Sequence, residues 1–202
     1  MVQRARNIKQ PRVAPELANR VPPGQFVTER WPVLHHGPVP TFDPLAWDLC
    51  VSGLVTNPLR FTWKELGSVP RTTVHADMHC VTRWSKLDNA WEGIAIKELI
   101  ARAGVHPEAH FVLFHGDGGY TANLPRDVVD DDDVLLALAH NGQVLTPEHG
   151  FPLRLVVPQR YAWKSVKWLR EIEFGAEDRL GFWERYGYNS GANPWKQERF
   201  AE

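Results

Sequence analysis

Short segments that alternate apolar and polar residues recur along this chain, and residues typical of turns separate them. Side chains on a β-strand point alternately to the two faces of a sheet, so the pattern favours strands over long helices. Asn57-Pro58 and Asn141-Gly142 indicate tight turns, the second of the hairpin type. We predict strands at 47–53, 71–81, 111–114, 134–139, 153–157 and 166–174.

Two helices are predicted among these strands. Thr62 and Glu65 have the spacing of a capping box, in which each side chain satisfies a free backbone amide of the other residue, and this indicates a brief helix. Apolar residues at helical spacing between 96 and 103 mark a second helix, which Gly104 ends. Because strands outnumber helices, we expect an α+β domain built on mixed, strand-rich sheets.

The chain of 202 residues is the size of one domain, and its 43% hydrophobic content allows a substantial core. Many of its 16 prolines and 9 tryptophans lie in irregular stretches near the two ends. We therefore predict an extended arm over residues 1–44, a core over 45–175 and an aromatic tail over 176–202 that packs on the core. Ordered loops of this kind often form the walls of a binding site.

The charges are balanced, with 23 Lys and Arg against 24 Asp and Glu, and no block of basic residues suggests contact with nucleic acid. No apolar run is long enough to cross a membrane, and the N-terminus has no apolar region of a secretory signal. We expect a cytoplasmic protein, or a periplasmic one if a signal has been removed. A small molecule or a protein is the expected partner.

The densest group of potential metal ligands is the segment His75-Ala76-Asp77-Met78-His79-Cys80. On a strand, the two histidines and the aspartate share one face while Cys80 points to the other, and this geometry disfavours a zinc site with four ligands. The chain has only 2 cysteines, too few for a disulfide framework. From the residues alone, a metal site and a buried structural thiol both remain open for Cys80, and Cys50 is interpreted as a buried structural thiol.

Two longer motifs resemble the molybdopterin-binding catalytic domain of the sulfite oxidase family. The first is His79-Cys80-Val81-Thr82-Arg83-Trp84-Ser85 followed by Trp91-Glu92-Gly93. The second is His149-Gly150-Phe151-Pro152-Leu153-Arg154 and the residues up to Pro158, followed by Lys164-Ser165-Val166-Lys167-Trp168-Leu169. Together with Asn141-Gly142, and over residues 28–175 as a whole, the order of these motifs resembles that of the family.

The resemblance implies a molybdenum–molybdopterin cofactor with Cys80 as the protein's ligand to the metal. A thiolate is a soft donor, which suits a metal that the pterin already holds through sulfur. The resemblance also implies that cationic and amide groups bind the phosphate and the ring nitrogens of the pterin. These residues are His149, Arg154, Ser165, Val166 and Lys167.

Further contacts follow from the same resemblance. The segment His35-His36-Gly37-Pro38-Val39-Pro40 is similar to a family arm, which places His35 and His36 at the pterin and Leu34 where the family has an arginine. The loop with Gly116 and Asp117 falls where the family has another pterin contact. Arg83 is assigned to substrate or metal oxygens from its position three residues after Cys80, and not from the resemblance, because the family varies at this point. Tyr120, Trp163, Trp183 and Trp195 are candidates for the walls of a funnel.

The expected function is a molybdopterin-dependent oxidoreductase that transfers an oxygen atom in a two-electron step. Because Leu34 replaces an arginine, we expect a sulfoxide or another neutral oxide as the substrate. Sulfite oxidation and a non-catalytic molybdopterin-binding or carrier protein are the alternatives. The chain contains no segment that resembles a haem module or a dimerisation domain, so we expect a monomer that exchanges electrons with a separate electron-transfer protein.

Overall fold

A computed structural model describes residues 13–201, and the strands of this part of the chain form two sheets. The strands of the six-stranded sheet are β1 (Phe26–Val27), β4 (Thr72–His79), β5 (Trp84–Ala95), β8 (Leu135–His140), β9 (Gln143–Val144) and β10 (Arg154–Val156). The strands of the five-stranded sheet are β2 (Asp48–Gly53), β3 (Leu59–Thr62), β6 (Phe111–Gly116), β7 (Thr121–Pro125) and β11 (Leu169–Gly175). The α-helices of the described residues are α1 (Trp63–Leu66), α2 (Ile96–Ala103) and α3 (Arg126–Val129).

Both sheets are mixed. In the first, β5 pairs with the parallel strand β1 and with the antiparallel strands β4 and β8. In the second, β11 is central, parallel to β2 and antiparallel to β6. The predicted α+β class with strand-rich mixed sheets is therefore confirmed.

The main apolar core lies between the two sheets, and a second cluster covers the outer face of the six-stranded sheet. Strand β8 shows the division, because Leu136 and Leu138 belong to the main core while Leu135 and Ala137 belong to the second cluster. All four residues are buried, which explains why this strand is apolar throughout rather than alternating. Cys80 belongs to the second cluster.

The local sequence signals correspond to real elements. Thr62 and Glu65 form both hydrogen bonds of the capping box at the start of α1. Gly104 ends α2 with a φ of 61°, a left-handed conformation that glycine adopts without strain. Asn141 and Gly142, with φ values of 50° and 75°, form the turn between β8 and β9.

The strand predictions differ from the structure at the start of one predicted strand and in lacking β1, β3, β5, β7 and β9. The predicted strand 166–174 begins only at Leu169, because Trp168 has a φ of 54° and interrupts the extended backbone. The long strand β5 is absent from the predictions. Its sequence contains polar residues, and Asp88 adopts a φ of 56°, so no regular alternation runs through it.

The arm and the tail contact the rest of the chain at defined places. Within the described part of the arm, β1 pairs with the start of β5. In the tail, the Glu184 carboxylate is 2.6 Å from Lys164 Nζ, and both side chains are almost fully buried. Residues 1–12 and 202 lie outside the described residues, and the division into arm, core and tail stays a prediction. No helix within residues 13–201 is long and apolar enough to cross a membrane.

Candidate cofactor site

A cleft of about 260 Å³ lies beside the second apolar cluster, and segments that are distant in sequence form its walls. The arm contributes Trp31 and Leu34, and the tail contributes Trp183 and Tyr188. Of the residues predicted for a cofactor site, the cleft brings together His35, His36, Cys80, Arg154, Ser165 and Lys167. These residues come from four separate stretches of sequence, and only the fold makes them neighbours.

Cys80 lies in the tight turn between β4 and β5. The turn is closed because Arg83 N donates to Cys80 O at 2.9 Å, and Cys80 N donates to Trp84 O at 2.9 Å. The arm and the tail hold the turn from outside. Gln25 Nε2 donates to Cys80 O at 3.1 Å, and the Arg199 guanidinium donates to Val81 O. The thiol is therefore presented to the cleft by a fixed backbone.

The thiol of Cys80 is buried and has a raised pKa. Burial is the main cause, because it disfavours the charged thiolate. The Thr82 hydroxyl donates to Cys80 Sγ at 3.1 Å and, together with the backbone amides of Val81 and Thr82, opposes this effect. The site therefore holds a neutral thiol with hydrogen-bond donors already aimed at the sulfur. A metal ion would remove the proton on binding.

Arg154 places a buried positive charge beside the cleft. Its residue exposure is 2%, and no carboxylate among the described residues pairs with it. Nη1 donates to His149 O at 2.8 Å and Nη2 to Ser165 O at 3.3 Å, while Nε has no partner. Burial lowers the pKa of Arg154. An unpaired buried cation is costly, so a bound anion would stabilise this site.

Lys167 provides a second cation in the same cleft. Its Nζ donates to Leu34 O at 2.8 Å and to the carbonyl of Glu148, so the lysine links the arm to the second motif. Burial, and then repulsion from Arg154, lower its pKa to about 7. An anion between the two groups would remove this repulsion and raise the pKa again.

The predicted histidines have different positions. His35 and His36 are exposed in the arm and line the cleft. His149 does not line it but stacks on Trp31 with ring centroids 3.9 Å apart, and its Nε2 donates to Trp31 O at 3.3 Å. Burial lowers the pKa of His149. Its place in the structure is to fix the Trp31 ring, which forms part of the wall.

Four other predicted residues lie outside the cleft lining. Val166 is fully buried in the main core, and Gly116 is buried against the backbone of Lys167. Asp117 forms an ion pair with Arg170 at 3.2 Å and lines a smaller neighbouring cavity. Arg83 is exposed, with a φ of 77°, on the far side of the Cys80 turn. Whether the first three contact a cofactor through their backbone stays a prediction.

The segment His75–Cys80 does not form a cluster of ligands within residues 13–201. A bulge between Ala76 and Met78 breaks the regular alternation of β4. Asp77 pairs with Arg20 at 2.7 Å, and His79 Nδ1 is hydrogen-bonded to Ser85 Oγ at 2.8 Å. Cys80 thus faces the cleft without His75, Asp77 or His79.

Several wall residues were not predicted from the sequence. Tyr120, Trp163 and Trp183 line the cleft as expected for a funnel, whereas Trp195 is not among its lining residues. The lining residues that were not predicted are Trp31, Pro32, Met78, Val81, Thr82, Trp84, Ala162, Trp168 and Tyr188. Trp31 and Thr82 stand close to predicted ligands in sequence, which is a usable signal. Tyr188 has no such signal.

The donor set fits a molybdopterin cofactor. The pterin carries a phosphate, and the cleft holds one buried cation without a counter-ion and a second cation beside it. The metal needs a soft protein ligand, and Cys80 is the cysteine among the lining residues. Arg154 Nε has no hydrogen-bond partner among the described residues, so it is free to donate to a bound anion.

The fold and this cleft, which is lined by a buried cysteine and two cationic side chains, have the character of a cofactor-binding enzyme domain. The chain belongs to the oxidoreductase molybdopterin binding domain family, whose model matches residues 36–183. The resemblance seen in the two motifs is thereby confirmed, and the protein is an enzyme of this oxidoreductase family.

Individual relatives support the same family. The uncharacterized oxidoreductase YuiH of Bacillus subtilis (strain 168) is 48% identical over 184 residues, covering 91% of this chain and 93% of YuiH. A sulfite oxidase of Arabidopsis thaliana is 30% identical over 190 residues, covering 76% of this chain and 48% of that protein. A nitrate reductase of Phaseolus vulgaris is 31% identical over 172 residues, covering 69% of this chain and 20% of that protein.

A solved structure has the same fold. The crystal structure of the sulfane dehydrogenase SoxCD from Paracoccus pantotrophus matches with a TM-score of 0.66 at 29% identity, covering 76% of this chain and 43% of that chain. The chain therefore spans nearly all of YuiH but less than half of the sulfite oxidase, the nitrate reductase and the SoxCD chain.

Proposed function

We propose that this protein uses molybdenum–molybdopterin to reduce a small neutral oxide, such as a sulfoxide or an N-oxide, by two-electron oxygen-atom transfer. The observation that carries the proposal is the shared cleft of Cys80 and Arg154, a soft metal ligand and a buried cation without a counter-ion. Family membership supports the cofactor class. The substrate and the direction of the reaction rest on the character of the cleft.

The residues predicted from the sequence, in the cleft and around it, have proposed roles toward the cofactor. Cys80 is the metal ligand, and Arg154 and Lys167 neutralise the phosphate. Ser165, Val166, Gly116 and Asp117 contribute polar or backbone contacts, and His35 and His36 contact the pterin from the arm. His149 acts as a positioning residue through Trp31. When bound, molybdenum–molybdopterin supplies the two-electron redox chemistry.

The other walls favour a neutral substrate. Leu34 is exposed toward the cleft where the family has an arginine, and Arg83 is not among the lining residues. The cleft therefore has no cationic side chain beyond Arg154, Lys167 and the two arm histidines among the described residues. Apolar walls also exclude water from a neutral substrate at little cost, while a dianion would lose its hydration without a full set of partners.

The reaction is balanced by an external reductant. In sulfoxide reduction the S–O bond breaks, two electrons enter from a separate electron-transfer protein, and two protons convert the oxygen into water. We propose that the protein works as a monomer with such a partner. Sulfite oxidation is the second candidate, supported by the similarity to a sulfite oxidase.

The test combines cofactor analysis with a substrate panel. Purified protein is expected to contain molybdenum and pterin in equal amounts. The oxidation state of the molybdenum should change when a reductant is added and change back when a neutral oxide follows. A protein that holds the cofactor without turnover and transfers it to an apo-enzyme would be a carrier. A protein without bound pterin would overturn the proposal.

A further inference from the structure

Two arginines meet on the outer side of the Cys80 turn, away from the cleft. Arg83 follows Cys80 by three residues, and Arg199 comes from the tail. A Cβ atom placed on Gly24 would lie 3.3 Å from Arg83 Nη1, 3.3 Å from the Gln197 side-chain oxygen Oε1 and 3.9 Å from Arg199 Nη2. Both guanidinium groups and the Gln197 amide oxygen thus approach the same point, where Gly24 itself contributes no side chain.

Neither arginine has a counter-ion among residues 13–201. Arg199 is only 8% exposed, and its Nη2 has no hydrogen-bond partner in the described part of the chain. Its pKa is lowered, first by burial and also by the charge of Arg83. Two convergent cations and an orphan buried donor form an incomplete polar site.

The backbone of Arg83 supports the same interpretation. Its φ of 77° is a left-handed conformation that a side chain with a Cβ adopts only at a cost. The Arg83 guanidinium lies beside Gly24 and Arg199, and Arg83 is not among the residues that line the cleft. Arg199 and Arg83 are therefore brought together although each repels the other.

We propose that Arg83 and Arg199 bind a small oxyanion, such as sulfate or phosphate, at a second site on the outer side of the Cys80 turn. Guanidinium groups match the oxygens of such anions through paired N–H donors. Arg83 is exposed and gives the anion access, while Arg199 provides the buried donor. This assignment replaces the earlier expectation that Arg83 contacts the substrate.

The site is connected to the metal ligand through the backbone. Arg199 donates to Val81 O, and Arg83 N donates to Cys80 O. An anion that neutralises the two arginines removes their repulsion and holds both ends of the turn. We expect the bound anion to stabilise the protein without entering the cleft.

The experiment measures the melting temperature of the cofactor-loaded protein in sulfate, phosphate, acetate and chloride at constant ionic strength. At roughly ten times its Kd, sulfate should raise the Tm of the wild type by roughly 3–5 °C over chloride. The increase should vanish in Arg83→Gln and in Arg199→Gln. Arg185→Gln removes an exposed arginine of the same tail and serves as the control, in which the increase in Tm should remain.

The outcomes separate this site from the cleft. A wild-type Tm that is the same in all four anions would overturn the proposal. If the increase in Tm with sulfate remains in Arg83→Gln but disappears in Arg154→Gln, the anion binds in the cleft, and this result would also overturn the proposal. Arg83→Gln changes an exposed side chain, so the test stands even where Arg199→Gln fails to fold. A larger effect of acetate than of sulfate would indicate a carboxylate group and contradict the tetrahedral oxyanion.

Discussion

Cys80 combines two properties that an unliganded thiol does not need. It is buried, which raises its pKa, and it is surrounded by donors from Thr82 and the turn that favour the thiolate. A structural thiol gains nothing from such donors, because a neutral S–H group is a weak acceptor. The arrangement suits a sulfur that carries negative charge when a metal is bound.

The first prediction concerns this sulfur. Cys80→Ser should retain most of the pterin, because the phosphate contacts remain, but should lose redox turnover, since a hard oxygen replaces a soft donor. Pterin content and steady-state oxide reduction are the measurements, and Cys50→Ser, whose side chain does not line the cleft, is the matched control. Turnover of Cys80→Ser at the wild-type rate would remove Cys80 from its role as metal ligand.

The second prediction concerns the buried cation. Arg154→Ala should lose a charge-assisted interaction with the phosphate, typically about 1.5–3 kcal/mol, and should therefore lower cofactor retention roughly 10- to 150-fold. Arg83→Ala removes the same charge on the other side of the turn and should retain the cofactor. For both variants, the measurement is the amount of pterin that the protein still holds, per mole, after dialysis. Equal retention in the two variants would contradict the phosphate assignment.

Among single residues, the sequence identified the candidate metal and phosphate ligands better than the residues that form the walls of the cleft. Cys80 and Arg154 stand in motifs whose order resembles the family, and both reach the cleft. His149 stands in the same motif but contacts the cleft only through Trp31. The sequence could not show this distinction, because it depends on where the arm crosses the second motif. Tyr188 was missed because nothing in its neighbourhood marks it as a ligand.

At the scale of secondary-structure elements, the tail is joined to the cleft by a buried ion pair. Lys164 Nζ also donates to Asn123 O and Oδ1, and Trp163 Nε1 donates to Glu184 Oε1 at 2.8 Å. The Glu184 carboxylate therefore pairs with Lys164 and also orients the indole of Trp163, which lines the cleft. Breaking one side of such a pair leaves a buried charge without a partner.

The third prediction follows from this pair. Glu184→Ala should lower the free energy of unfolding by about 3–5 kcal/mol, as is typical when one partner of a buried pair is removed. The double variant Glu184→Leu, Lys164→Met removes both charges and should recover most of this loss. Asp132→Asn, at a solvent-exposed pair with Lys97, is the control and should have little effect. Denaturant unfolding measures all three, and a single variant as stable as the wild type would contradict the anchoring role.

Secondary-structure elements that a few neighbouring residues encode could be predicted from the sequence. Strands that depend on pairing with strands distant in sequence could not. The capping box at Thr62 and the glycine at 104 are encoded within a few residues. Strand β5 is defined by pairing with three different strands, and its polar residues face different neighbours along its length. No single period can describe such a strand. Its position nevertheless matters, because the turn before it presents Cys80.

At the scale of the whole molecule, the cleft exists because the arm and the tail close over one face of the six-stranded sheet. The arm brings Leu34, which lines the cleft, and the backbone of Leu34 accepts a hydrogen bond from Lys167 at 2.8 Å. An apolar side chain therefore stands beside one of the two proposed phosphate-binding cations. The overall charge of −1 adds no strong field that would attract an anionic substrate.

The last prediction tests the substrate through this position. With an apolar residue where the family has an arginine, the wild type should reduce a neutral sulfoxide with a higher kcat/KM than it oxidises sulfite. Leu34→Arg should raise kcat/KM for sulfite roughly 10-fold or more, because one charge-assisted hydrogen bond to an anion contributes about 1.5–3 kcal/mol. Leu34→Gln is the matched control, since it adds polarity and length without charge, and should leave sulfite turnover low. Pterin content must be equal in all three proteins, so that a change in cofactor retention is not mistaken for a change in specificity. A wild-type kcat/KM for sulfite clearly above that for every neutral oxide in the panel would reverse the proposed substrate class, while the cofactor assignment would stand on its own analysis.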